Sequence, residues 1–331
     1  MIKQFLIGIL IFFPILSIAQ DNKGYESRLI KTERLNVECI DIGGEGTPLI
    51  VVQGAHNYFD ENSTNQFIQY SNKSWKSFFS VYTKNYHVLA PLKRGFGKTD
   101  PQLEIENVRS STLDLLSFMD KMGFEKAFFI GRDVSAQTML DMAENYPERI
   151  QGLIFIDPTF VFTEVKDKAT KDFIFFSYSD SYNESEYENY KMKETQLYRP
   201  EIFSDSSKRI NVPTLLFYHS NYSNGTLALG RIERFIRWVE NEQNIEWNKE
   251  YSSPEIANYF EKLANDRPRM TDIKNYLQNN NPSPKMNEAL KTVFGDNLVI
   301  FNETSMQIDD VKEALMNVYA PVVNAFLYMT N

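Results

Sequence analysis

Phe128-Phe129-Ile130-Gly131-Arg132-Asp133-Val134-Ser135-Ala136 is an apolar run that stops at a glycine; an ionisable residue follows two positions later, and then small residues. Small residues let a backbone turn sharply from strand into helix, and such a turn lifts one side chain out of the packing at the strand's end. Here the lifted residue is Asp133. Leu115, Phe118, Met119 and Met122 fall at i, i+3, i+4 and i+7, which predicts a helix leading in. Gly123 ends that helix, and Ala127 to Ile130 fits a short, fully buried strand. Beyond the turn, Ala136, Met139, Leu140 and Ala143 repeat the helical spacing until Pro147. Gly152-Leu153-Ile154-Phe155-Ile156-Asp157-Pro158 predicts the next buried strand. Helix, strand, helix, strand is the pattern of an α/β chain: a mostly parallel central sheet with helices on both faces.

Two further stretches sit upstream in a telling order. Leu49-Ile50-Val51-Val52-Gln53-Gly54-Ala55 reads as a strand running into a tight loop. Val88-Leu89-Ala90-Pro91-Leu92-Lys93-Arg94-Gly95-Phe96-Gly97-Lys98-Thr99-Asp100 reads as a strand followed by an Arg-Gly-x-Gly loop. With the turn at Asp133, these resemble the α/β-hydrolase family over about residues 30–158 and parts of the C-terminal third. Gly-Arg-Asp-Val-Ser-Ala stands where the family has its nucleophile elbow, commonly Gly-x-Ser-x-Gly. An aspartate there resembles the subgroup of epoxide hydrolases and haloalkane or haloacetate dehalogenases. The resemblance implies an oxyanion site at Gly54 and Ala55, with backbone N–H groups from Ala55 and Val134, and a helical lid over the pocket. Arg132 stands where that subgroup often has histidine; beside Asp133 it would favour the ionised carboxylate. Ser135 occupies the elbow's second small position, where bulk is excluded, and is not read as the nucleophile.

A carboxylate on such a turn can attack an electrophilic carbon and form an ester. A base must then activate water. The family places a histidine after the last strand, yet Phe301-Asn302-Glu303-Thr304-Ser305-Met306-Gln307-Ile308-Asp309-Asp310 contains none. Met306 or Ser305 stands near the expected position. The chain holds three histidines. His87 begins a strand and reads as structural. His56 follows the oxyanion loop and His219 ends a strand, so each is a candidate base, with a loop histidine as the alternative. Asp157 is the candidate acid, or else a capping residue ahead of Pro158. Asp133 itself has the alternative of a helix N-cap.

The chain has 331 residues and 42% hydrophobic content, enough for one α/β domain with insertions. Lys3, the apolar Phe5 to Leu16 and Ser17-Ile18-Ala19 read as a signal peptide over residues 1–19, cleaved near Ala19. The expected product is exported, periplasmic or secreted, with no stable membrane insertion of the mature chain. A formal charge of −9 argues against nucleic-acid partners. The single cysteine, Cys39, excludes an internal disulfide and reads as a buried strand residue. Residues 30–158 form the first part of the core and 159–208 an aromatic-rich lid, with Tyr178, Tyr182 and Tyr187 as candidate epoxide-polarising groups. Residues 209–331 return to the core, with a polar insertion at about 241–284 and a closing helix bent at Pro321. No cofactor or metal site is expected. Two functions fit: a hydrolase using Asp133 on a small apolar epoxide, alkyl halide or ester, or a catalytically degenerate protein that keeps the pocket to bind a small ligand or a partner.

Overall fold

Successive residues of the central strands enter opposite cores. Leu49, Val51, Phe128, Ile130, Ile154, Ile156, Leu215 and Phe217 pack into one, while Ile50, Val52, Phe129, Leu153, Phe155 and Leu216 pack into the other. Side chains alternate across a pleated strand, so strands covered on both faces read as unbroken apolar runs. The structure, a computed structural model, describes residues 25–54, 59, 66–101, 108–133, 135–158, 168–170, 172–173, 209–218, 232–233, 235–237, 239–240, 254–279, 290–302 and 315–331. The expected signal peptide, most of the lid with its three tyrosines, and the segment around Met306 lie outside the described residues.

Eight strands form one sheet: β1 (Glu26–Lys31), β2 (Asn36–Gly43), β3 (Thr47–Val52), β4 (Tyr86–Pro91), β5 (Ala127–Asp133), β6 (Ile150–Pro158), β7 (Thr214–Tyr218) and β8 (Leu298–Asn302), in the order β1-β2-β4-β3-β5-β6-β7-β8. β1–β2 and β2–β4 pair antiparallel, and every later pairing is parallel. The sheet begins at Glu26, slightly before the expected start of the core. α1 (Gln66–Ser80) and α6 (Ala320–Thr330) cover one face through Trp75, Phe78, Phe79, Val323 and Phe326. α2 (Val108–Met122) and α3 (Ser135–Asn145) cover the other through Leu115, Phe118, Met119, Met139 and Leu140. Gly123 ends α2 at φ +74°, a left-handed conformation that glycine adopts without steric cost.

At Pro321, where a bend was expected, the helix changes type. Leu315–Tyr319 is a π-helical turn that runs into α6, with Pro321 in the first turn of that helix. Proline cannot donate to the carbonyl four residues back, and a widened turn accommodates the lost bond.

The polar stretch at about 241–284 holds two helices, α4 (Pro254–Ala264) and α5 (Arg267–Asn279). Phe260 of α4 meets Phe235 at 5.4 Å and Phe173 at 6.2 Å between ring centroids, both edge to face. Arg269 of α5 lies 3.7 Å from Asp172. The described residues of the 159–208 and 241–284 stretches therefore pack on each other.

Cys39 is buried in β2, as expected. Burial first, and then the Asp41 carboxylate, push its thiol up to about 12. A thiolate is the reactive form. Native protein at pH 8 should therefore leave a disulfide-exchange reagent untouched, while urea-unfolded protein should release one equivalent per chain. Rapid native labelling would contradict the burial.

Candidate active site

The sheet order reverses direction around β3, which lies between β4 and β5. In open parallel sheets ligands bind in the crevice at the carboxyl ends of strands where the order reverses. β3 and β5 pair in parallel with Val52 opposite Gly131. Two residues past that pair on each strand stand Gly54 and Asp133. On the other side of β5, Asp133 pairs with Pro158, directly after Asp157, across a register shift. The backbones of Gly54, Asp133 and Asp157 thus share one edge at the reversal point. Because β6 runs through Pro158, Asp157 is a strand residue and not the cap of a helix beginning there. β7 ends at Tyr218 on the same edge, with Phe217 opposite Ile156, and His219 follows in sequence.

The strand-to-helix turn is built by contact, not by composition alone. A Cβ at Gly131 would lie 2.3 Å from Ser135 Oγ, 2.7 Å from Met139 Sδ and 3.0 Å from Ser135 Cβ. Only glycine lets α3 lie this close to β5. Ser135 is buried, and its hydroxyl donates to the Arg132 carbonyl at 2.7 Å. That bond stitches the first residue of α3 to the strand across the turn. It also gives the hydroxyl a structural task, in keeping with its exclusion as a nucleophile. Deeper in α3, the buried Asp141 carboxylate sits 3.3 Å from Arg109 of α2, whose guanidinium lies over the Tyr146 ring.

Arg132 was expected to serve the neighbouring carboxylate. The Asp133 side chain lies outside the described residues; the Arg132 guanidinium lies over the Trp75 indole of α1, 5.4 Å from the ring centroid. The quadrupole of an indole attracts a cation on its face. This contact fixes α1 against the last turns of β5, and no spacing in the sequence announces it.

The Arg-Gly-x-Gly loop is equally well braced. Buried Arg94 reaches Asp114 of α2 with Nε at 2.6 Å and a second nitrogen at 3.2 Å, and Asp114 also accepts from Arg34 at 2.7 Å. Lys98 N–H donates to Glu38 Oε2 at 2.5 Å, and Glu38 N–H donates to Thr99 Oγ1 at 3.0 Å. Gly97 has φ +54°, and a Cβ there would meet Glu38 Oε2 at 2.1 Å. Asn36 donates to Asp100 from its backbone N–H at 2.8 Å and from its side-chain amide, and these bonds hold the Asp100 carboxyl below its ordinary range. A carboxyl that ionises below its unfolded value keeps this anchor at neutral pH and loses it only as pH falls through the lowered value. Gln53, buried at the end of β3, accepts from Lys93 N–H at 2.9 Å and so joins the two loops.

Of the three histidines, His87 is accounted for. Its Nε2 lies 3.2 Å from Asp41 Oδ1, with the ring edge-on to Phe124. His56, His219, Ala55 and Val134 lie outside the described residues, as do the side chains of Asp133 and Asp157.

No family model matches the chain. Curated relatives match parts of it. Epoxide hydrolase 1 of Caenorhabditis elegans is 24% identical over 135 residues, covering 40% of this chain and 30% of that protein. Fluoroacetate dehalogenase of a Burkholderia species is 25% identical over 153 residues, covering 44% and 46% respectively. Epoxide hydrolase A of Mycobacterium tuberculosis is 26% identical over 129 residues, covering 38% and 36%. The chain therefore spans less than half the length of these relatives. Among solved structures, an enol-lactonase from Burkholderia xenovorans LB400 superposes with a TM-score of 0.52 at 12% identity, covering 92% of this chain and 100% of that one. A carboxylesterase from Bacillus subtilis superposes at 0.51 with 13% identity, covering 98% and 96%. Sheet order, the helices on both faces and these superpositions together establish the fold as that of the α/β hydrolases.

Proposed function

We propose that the chain is an exported hydrolase that opens a small apolar electrophile, an epoxide or alkyl halide before an ester, with Asp133 as nucleophile. One observation carries this reading: the residue that ends β5 at the reversal point, above the glycine that seats α3, is an aspartate. The partial similarity to epoxide hydrolases and a fluoroacetate dehalogenase supports the same chemistry. An Asp133 oxygen attacks the carbon as its bond to halide or epoxide oxygen breaks. The halide leaves, or the alkoxide takes a proton from a lid tyrosine or solvent. Water then adds to the new ester carbonyl, and the N–H groups of Ala55 and Val134 hold the oxyanion. Collapse releases the alcohol and regenerates the carboxylate. His56 or His219 takes the proton from that water, with Asp157 as the supporting acid.

His56→Gln and His219→Gln, made singly, separate the two bases. The responsible variant should form the Asp133 ester at near-normal rate and hydrolyse it about 10²- to 10⁴-fold more slowly. The ester should accumulate in intact-protein mass spectra. If both variants hydrolyse at full rate, neither histidine is the base.

The second reading is a degenerate hydrolase that binds without turnover. The sequence favours it in one respect, since no histidine follows His219. Ligand binding with neither ester nor product from any epoxide, halide or ester would establish it over the first. Export is tested by sequencing the N-terminus of secreted protein: a chain beginning just after Ala19 is expected, and one that begins at Met1 and pellets with membranes would defeat the proposal.

A further inference from the structure

A cavity of about 40 Å³ lies behind the two loops, bounded by Val52, Gln53, Leu115, Phe118, Asp114 and Thr138. Its size decides what can occupy it. One water needs about 10–15 Å³ on this measure, so there is room for two or three waters and for no organic ligand of useful size. Gln53 and Thr138 are among its polar lining residues. Gln53 is 4% exposed and Thr138 is 2% exposed, and neither Gln53 Nε2 nor Thr138 Oγ1 has a hydrogen-bond partner among the described residues.

The orientation of the Gln53 amide is fixed independently. The Lys93 backbone N–H can only donate, and it lies 2.9 Å from the atom assigned as Oε1. That atom must be the oxygen, so the –NH₂ end carries the unused donors. A hydroxyl can both donate and accept. A buried amide nitrogen and a buried hydroxyl on one small, mostly apolar cavity are an incomplete pair, which a water molecule completes: it accepts from the amide and donates to the hydroxyl. An unmade buried hydrogen bond costs about 1–3 kcal/mol per group, whereas immobilising a water costs about 0–2 kcal/mol.

We propose that this cavity is a built water site, in which ordered waters link Gln53 Nε2 at the end of β3 to Thr138 Oγ1 in the first turn of α3. Gln53 directly precedes Gly54, and Thr138 lies on the helix that follows Asp133. The waters therefore hold the loop after β3 in register with the turn after β5, and Gln53 and Thr138 are positioning residues. The water site itself does not depend on whether Asp133 performs catalysis.

Thr138→Val and Thr138→Ser decide the matter by sign. Valine keeps the shape and removes the hydroxyl. If waters bridge the pair, Thr138→Val strands them and lowers the unfolding midpoint by about 2–4 °C. If the cavity is dry, the same change replaces an unsatisfied hydroxyl by a methyl and raises the midpoint. Amide hydrogen exchange at Gln53 and Gly54 should be faster in Thr138→Val than in Thr138→Ser, which retains the hydroxyl. A crystal structure of the unaltered protein near 1.2 Å should show a water within hydrogen-bond distance of both atoms. Absence of that density, a raised midpoint in Thr138→Val, or equal exchange in the two variants would each overturn the proposal.

Discussion

Asp133→Ala protein should bind an epoxide or alkyl halide and leave it intact, with kcat reduced on the order of 10⁴- to 10⁶-fold, the range seen when a nucleophile that works in a unit is removed. The variant should also show no mass increase after incubation with the electrophile. Unaltered protein should carry one ester, placed on Asp133 by peptide mapping. If neither His56 nor His219 serves as base, that ester should be long-lived, because the segment after β8, where the resembled family has its histidine, contains none. Asp133→Asn makes the stricter comparison, since the amide keeps the size of the side chain and removes the negative charge. Rapid multiple turnover in Asp133→Asn would remove the nucleophile assignment altogether.

Gly131→Ala should produce the largest loss of stability among single-methyl additions in this region. Met139 can swing its sulfur away from an added Cβ, but Ser135 cannot withdraw. Its Cβ, 3.0 Å from the added atom, is fixed to the first residue of α3, and its Oγ is engaged with the Arg132 carbonyl. Overpacking of this kind costs about 1–3 kcal/mol, and Gly131→Val should exceed it. The measurement is urea unfolding at neutral pH. The pair Gly131→Ala with Ser135→Ala should be less damaging than the sum of the two changes by roughly 1 kcal/mol, because the nearest clashing atom has been removed. Full additivity would mean that α3 simply shifts away, and that close packing at the turn is not needed.

Why some of this was legible in sequence and some was not follows from particular residues. The central strands are buried on both faces, so Ala127 to Ile130 and Gly152 to Ile156 appear as apolar runs whatever surrounds them. The elbow is legible because a sharp strand-to-helix turn restricts residue size at fixed offsets, here Gly131 and Ser135. Helix α5 escaped notice because it buries only Met270, Ile273 and Leu277 out of its thirteen residues. Such a stretch reads as polar until its partner surface is known. The supporting contacts were not legible at all. Gln53 meets Lys93 across 40 residues of chain, and Trp75 meets Arg132 across 57. Long-range pairs of this kind leave no local periodicity. Arg132 makes the same point: nothing near it in the chain announces that its cation rests on an indole from a distant helix.

The order in which the strands join has a consequence for how the chain is made. From β5 onward, each new strand adds to the outside of the previous one, so the sheet lengthens in the direction of synthesis. Until residues 298–302 emerge from the ribosome, β7 has no neighbour on its outer side, and the apolar Leu215, Leu216 and Phe217 line a bare margin of N–H and C=O groups. Unpaired margins of this sort template pairing with other chains, and parallel sheets close slowly because their partners are far apart in sequence. A nascent or truncated chain stopping short of Leu298 should therefore aggregate through β7, and residues 298–302 act as the cover for that margin.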